Sequence, residues 1–145
     1  MITTLEPLLA HGPWAVALVV GVPVAIGEDV DALHDLVRPH LALYVGGMGA
    51  RGKNFYNDLA RRYGFEEAAE TVQELYLSGR KDEAAAALPD EFVRSVSLIG
   101  PEGHVAERVA AYAEAGITTL ALQPLDDSRE GRLRTVETMR RLADA

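Results

Sequence analysis

The chain has 145 residues, 25% of them charged and 48% hydrophobic, with a formal net charge of −8 and no cysteine. One domain of this length buries a real core. The acidic balance argues against a general binder of nucleic acid or anionic membrane, and Cys 0 excludes a disulfide frame, a thiolate nucleophile and a thiolate metal site.

Trp14 to Ile26 is dense in Val, Leu and Ile and short of polar residues. It reads as a strand buried on both faces, with Gly21-Val22-Pro23 as an opening bend. The run is too short to span a bilayer, and no Lys or Arg precedes it to form a secretory n-region. A cytoplasmic protein is the expectation.

Gly27-Glu28-Asp29 offers a helix start with Asp29 as N-cap. Val30, Leu33, Leu36 and Val37 then have helical spacing, and Pro39 kinks or restarts the helix. Leu41 to Val45 reads either as a short strand or as a continuation of that helix.

Gly46, Gly47, Gly49 and Gly52 follow, and Gly47 to Lys53 fits G-x-x-x-x-G-K. Such a loop converges backbone N–H groups on phosphate oxygens, with Lys on the terminal phosphates and a Ser or Thr hydroxyl on magnesium. Here the hydroxyl position holds Asn54, and the later apolar run Thr118 to Gln123 ends without a metal-holding carboxylate. The plainer reading is that the glycines break one helix and the next starts at Asn54. Arg51 and Lys53 are a local basic pair, whereas Arg61 and Arg62 read as a solvated helix face.

From Asn54 to Val96 the composition is helical. Phe55, Leu59 and Tyr63 recur at i, i+4 and i+8 as one buried stripe, and Val72, Leu75 and Tyr76 mark another. Gly79 stops that helix, Lys81 to Leu88 is a short Ala-rich helix, and Pro89 opens the next.

Gly100-Pro101-Glu102 starts a helix with proline in the first turn and an acid at the positive end of the dipole. Val105, Val109 and Tyr112 give it an apolar face, Gly116 ends it, and Ile117 to Leu122 is a strand. Asp127-Ser-Arg-Glu130 resembles a capping box for a last helix with Leu133, Val136 and Met139 inward.

The four histidines, His11, His34, His40 and His104, lack metal-ligand spacing, so no metal site is expected. His40 reads as packed or half-buried. Asp126 and Asp127 follow a strand, where α/β sites gather, but helix capping explains Asp127 more simply. No serine sits in a nucleophile elbow.

The architecture is α/β and mostly helical, with two strands that each feed a helix. Two strands do not complete a parallel sheet, and a (β/α)8 barrel takes about 250 residues, so the chain reads as part of something larger.

Four stretches carry a resemblance: Val22 to Gly27 with Arg38 to Asn57, Leu75 to Asp90, Gly100 to Val109, and Ala115 to Pro124. In this order they resemble the late portion of deazaflavin-dependent enzymes of the luciferase-like monooxygenase family. The resemblance implies a partial, bacterial-luciferase-like (β/α)8 TIM barrel over residues 14–145, with residues 1–13 outside it. Trp14–Ile26 and Ile117–Gln123 become the last two barrel strands, and the helices between them an insertion. It implies hydride transfer with coenzyme F-420, or FMN in relatives, on a small organic substrate.

No family catalytic motif falls on this chain, so no catalytic residue is carried over. Barrel chemistry gathers at the C-terminal ends of strands, which makes Gly27, Glu28, Gln123 and Pro124 the rim positions. Gly47, Gly49, Arg51, Gly52 and Lys53 are the candidate contacts for an anion or substrate. Three readings follow: the C-terminal portion of a luciferase-like oxidoreductase that is inactive alone, a non-catalytic module that pairs with the missing barrel half or another copy, and a nucleotide or phosphate binder through Gly47–Lys53.

Overall fold

The computed structural model describes residues 17–144. They divide into two compact units, residues 17–28 with 98–144 and residues 29–97.

The first unit contains β1 (Val19–Ile26), β2 (Leu98–Gly100), β3 (Thr119–Pro124) and two helices, Glu102–Glu114 and Arg129–Ala143. All three strands are parallel, in the order β2-β1-β3. The two predicted strands are neighbours in register from Val19↔Thr119 to Val24↔Pro124. The part of the predicted first strand at Trp14 to Val16 lies outside the described residues. The third strand, β2, is an addition to the two expected, and its three residues are too few to show a period.

Alternation along the strands sends Val22, Val24, Leu98, Leu120 and Leu122 to one face. There they pack with Val105, Val109, Tyr112, Met139 and Leu142 of the two helices. On the other face Val19 is 60% exposed, and Gly21, Thr119, Ala121 and Gln123 are exposed with it. Parallel sheets are ordinarily covered on both faces.

The expected bend at Gly21-Val22-Pro23 is absent, because all three residues lie within β1. The proline fits through its position. Val24 O accepts from Leu125 N, so Val24 directs its backbone groups to β3 and Pro23 directs its own to the opposite edge. On that edge the ladder to β2 begins only at Val24↔Leu98, so the missing N–H lacks a strand partner there.

The second unit is helical: α1 (Val30–Ala42), a π-helical turn (Leu43–Gly47), α2 (Phe55–Arg62), α3 (Glu66–Leu77), α4 (Lys81–Ala86) and α5 (Asp90–Ser95). The helices of the first unit are then α6 (Glu102–Glu114) and α7 (Arg129–Ala143).

Asp29 caps α1 as expected, through Ala32 N. The helix runs on through Pro39, so the predicted kink or restart does not occur, and the strand alternative for Leu41 to Val45 gives way to helix and π-turn. Gly79 and Gly116 end α3 and α6 with φ of +86°, each in the left-handed conformation that glycine adopts without a Cβ clash.

Two apolar stripes differ from expectation. Phe55 is 67% and Tyr63 57% exposed, and the inward residues of α2 are Asn57 and Ala60. Asn57 turns that face inward through amide hydrogen bonds to Val45 O and Ala69 O. In α7, Leu133 and Val136 are exposed and only Met139 of the expected stripe is buried, because the helix presents its Gly131 and Met139 side. His40 is exposed, and His34 is the buried histidine of α1, on the side that carries Val37. Arg61 is half-buried against Asn57 Oδ1 at 2.9 Å rather than fully solvated, whereas Arg62 is exposed as expected.

Candidate functional site

The glycine-rich segment is built on the π-turn. Lengthening the turn to an i→i+5 spacing leaves carbonyls without their α-helical donors. Asn54 Nδ2 meets Tyr44 O and Val45 O at 3.0 Å each, and Asn57 Nδ2 meets Val45 O at 3.0 Å. The same Asn54 is the N-cap of α2, and its Oδ1 accepts from Tyr56 N at 3.0 Å and Asn57 N at 3.3 Å. One side chain thus closes the end of one helix and opens the next.

The glycines answer to packing. A Cβ on Gly46 would stand 2.5 Å from Tyr76 Cβ, and one on Gly47 would run into the same ring. At Gly49 it would meet Lys53 O at 2.5 Å. Gly52 has φ +72° and makes the turn that returns the chain to Asn54. Arg51 and Lys53 are exposed, and their side chains have no hydrogen-bond or ion-pair partner among the described residues.

A phosphate loop differs on two counts. It follows a buried strand, whereas this segment follows α1 and the π-turn. It also aims free N–H groups at the anion, whereas here Asn54 already occupies the N–H groups of Tyr56 and Asn57. The side chains the segment offers an anion are the charged Arg51 and Lys53.

The rim positions lie in the first unit. Gly27 N donates to Gly100 O at 3.0 Å and is committed to the sheet. Glu28 and Gln123 are exposed. Gln123 is level with Pro23 in the register, so Gly27 stands four residues further along β1, about 13 Å at strand rise. The strand ends make a slanted rim rather than one level.

Asp126, not the expected Asp127, takes part in capping α7; Asp127 offers only its carbonyl, to Arg132, at 2.7 Å. The N-cap of α7 is Ser128, one residue later than the predicted box, and its Oγ accepts from Gly131 N at 2.9 Å. Asp126 Oδ1 in turn accepts from Ser128 Oγ at 2.6 Å and Ser128 N at 2.8 Å, and these bonds hold its carboxyl below the usual range. Gly131 is needed because a Cβ there would overlap that carboxylate. The Asp-x-Ser spacing was the available signal.

Sequence reasoning missed one polar cluster beside a buried histidine. Arg38 donates to Leu88 O and Asp90 Oδ1, and Asp90 Oδ1 lies 3.8 Å from His34 Nδ1. His34 is 1% exposed and neither ring nitrogen has a hydrogen-bond partner.

Among the described residues no group of His, Cys, Asp or Glu is arranged to hold a metal. No described helix is long and apolar enough to cross a membrane. The candidate residues also do not fit a whole deazaflavin or flavin by themselves. The segment supplies two cations, the N–H groups of Tyr56 and Asn57 at the start of α2 are taken by Asn54, and Gly27 and Gln123 stand at different levels.

Comparison with known proteins sets these elements in a family. The family described as luciferase-like monooxygenase matches residues 10–119. A Mycobacterium tuberculosis (strain H37Rv) protein named "Putative coenzyme F420-dependent oxidoreductase" is 41% identical over 99 residues, which cover 68% of this chain and 28% of that protein. The chain therefore matches well under half the length of this curated relative. No solved structure gives a match. The parallel β1–β3 pair with its covering helices is a part of the bacterial-luciferase-like barrel, and the chain belongs to the luciferase-like monooxygenase family.

Proposed function

We propose that this chain is the C-terminal portion of a coenzyme F-420-dependent oxidoreductase whose hydride transfer, on a small organic substrate, takes place in the complete (β/α)8 barrel. The observation that carries this reading is the 41% identity to a relative named for that coenzyme. The six-residue parallel register of β1 and β3 supports it, as neighbouring strands of one barrel would pair in this way. FMN is the alternative coenzyme within the same family reading.

In the complete barrel the bound coenzyme supplies the hydride chemistry. This chain contributes a wall and part of the rim, with Glu28 and Gln123 facing the mouth. Arg51 and Lys53 attract an anionic part of the coenzyme or substrate, held out by the turn at Gly52 and backed by Gly47 and Gly49. The described residues, 17–144, form one part of the barrel domain. A cytoplasmic setting belongs to the same reading and is supported by the absence of cysteine.

The test is to follow oxidation state by absorbance, with coenzyme F-420 and FMN in parallel, for the isolated chain and for a reconstituted barrel. The isolated chain is expected to show no turnover. Turnover by the chain alone would overturn the assignment of activity to the complete barrel.

A second reading, phosphate or nucleotide binding through Gly47–Lys53, is favoured only by the two unpaired cations. Equal affinity for Mg-ATP in the parent and Lys53→Ala would remove it.

A further inference from the structure

We propose that the outward face of α1 is the contact surface for a second copy of this chain, docked antiparallel about a two-fold axis that passes between Pro39 and His40. The surface lies wholly within the helical unit and does not depend on the coenzyme reading.

The first ground is that α1 is apolar on two sides. His34 and Val37 face inward and are buried. Ala32, Leu36, Pro39 and Leu43 recur at i, i+4, i+7 and i+11, so they form one stripe on the opposite side. All four are exposed, Leu36 at 50% and Leu43 at 37%, and no charged residue falls within the stripe. A helix whose outer face is apolar as well is ordinarily covered by something.

The stripe continues sideways into aromatic rings. Tyr44 meets Tyr56 in an edge-to-face contact with centroids 4.6 Å apart, and Tyr56 meets Phe55 at 5.5 Å. Contiguous exposed apolar surface of this kind marks an interaction site.

The second ground is charge, and it selects the occupant. Asp31 and Tyr44 lie on opposite flanks of the stripe, each roughly 110° from its centre on a helical wheel. Asp31 stands in the first turn of α1, exposed, and its carboxylate has no ion-pair partner among the described residues. At the far end, Asn54 ties the Tyr44 carbonyl to the segment that carries Arg51 and Lys53. One flank of the helix thus begins with an unpaired acid, and the other ends beside two unpaired cations.

A two-fold axis perpendicular to α1 exchanges both the ends and the flanks. With the axis between Pro39 and His40, Leu36 comes opposite the second copy's Leu43. Asp31, about 13 Å from the axis along the helix, comes level with the second copy's glycine-rich segment. A parallel arrangement would set acid beside acid and cation beside cation. A partner of one uniform charge would satisfy one end of the stripe and oppose the other.

The test is sedimentation of the whole chain at rising concentration, in low salt and without coenzyme or phosphate, because an anion on Arg51 and Lys53 would compete with Asp31. A monomer–dimer equilibrium is expected. Leu36→Glu, at an exposed site, leaves the thermal melt of the dilute chain unchanged and abolishes the dimer. Asp31→Lys and Lys53→Glu each put like charges together at both ends of the interface, and each weakens dimerisation about tenfold. Their equimolar mixture restores it, as a dimer of one variant with the other, because each acid then meets a cation again. Added salt erodes the restored dimer as it does the parent. A chain that stays monomeric at its highest soluble concentration overturns the proposal. So does a dimer indifferent to Leu36→Glu, which would join the copies by another face, and so do single variants whose mixture stays monomeric.

Discussion

The side-chain amide of Asn57 donates to Val45 O at 3.0 Å, and its second hydrogen reaches Ala69 O at 2.7 Å. A buried amide, not an aromatic stripe, therefore sets the inward face of α2. Asn57→Leu removes two donors from buried carbonyls that water does not reach. It is expected to destabilise the helical unit by about 2–3 kcal/mol, read from urea unfolding at neutral pH. A loss below about 0.5 kcal/mol would show that the bonds do not organise the unit.

Gly47 and Gly21 make a matched pair of tests. A Cβ at Gly47 strikes the Tyr76 ring, whereas at Gly21 it meets nothing within 4 Å. Gly47→Ala is expected to cost about 1–3 kcal/mol through displacement of the ring. Gly21→Ala, in a strand with ordinary φ, is expected to be neutral or slightly stabilising. Thermal melts of the two variants side by side decide it, and equal melting temperatures would refute the packing account of the motif.

The Glu102–Arg141 pair joins the first turn of α6 to the last turn of α7 through two bonds, at 2.7 and 2.9 Å. The Arg141 guanidinium holds the Glu102 carboxyl below its ordinary range. A carboxyl depressed in the folded state contributes stability above its unfolded pKa, about 4.3, and loses it as pH falls through the lower folded value. The stability difference between parent and Glu102→Gln is therefore expected at pH 7 and to shrink towards pH 3. Denaturant titrations at the two pH values measure it, and a difference that does not depend on pH would argue against the pair.

Arg51 and Lys53 are exposed and their side chains are unpartnered among the described residues, so neither supports the fold. Arg51→Ala and Lys53→Ala are expected to change stability by less than about 0.5 kcal/mol. In a reconstituted barrel the same changes should weaken coenzyme or substrate binding, with the loss fading at high salt. Affinity that stays constant across salt and variant would remove both residues from the site.

What was legible in the sequence is what neighbouring residues decide among themselves. Gly79 and Gly116 end helices through their own φ, and Asp29 and Asn54 cap through bonds to backbone two or three residues away. The hydrophobic density of β1 marked a strand, and the break at Gly116 marked where β3 follows. Illegible parts depend on distant partners. Phe55, Leu59 and Tyr63 do share a face, but periodicity does not say whether this chain covers it. The inward side of α2 was chosen by carbonyls at Val45 and Ala69, twelve residues away in either direction. β2 forms only because β1 offers an edge. The G-x-x-x-x-G-K pattern is present letter by letter, yet Tyr76, from a later helix, explains its first glycine and the Gly46 before it. Of the rim positions, β3 carried the signal for Gln123, but the stagger against Gly27 follows from register and left no trace in composition.

Pro23 gives β1 two different sides. Towards β3 the strand is a continuous template from Val19 to Val24. Towards β2 it is divided, because the ring at Pro23 offers no hydrogen to an acceptor placed opposite. A neighbour that ran past this point unbroken would strand one carbonyl, at a cost of about 1–3 kcal/mol if buried. It must therefore stop short, bulge or turn that oxygen to water. β2 takes up its place just beyond the gap, and among the described residues no strand pairs with Val19 to Pro23 on that side. A single imino acid thus marks where a neighbour can begin on one flank of a strand whose other flank is read without a break.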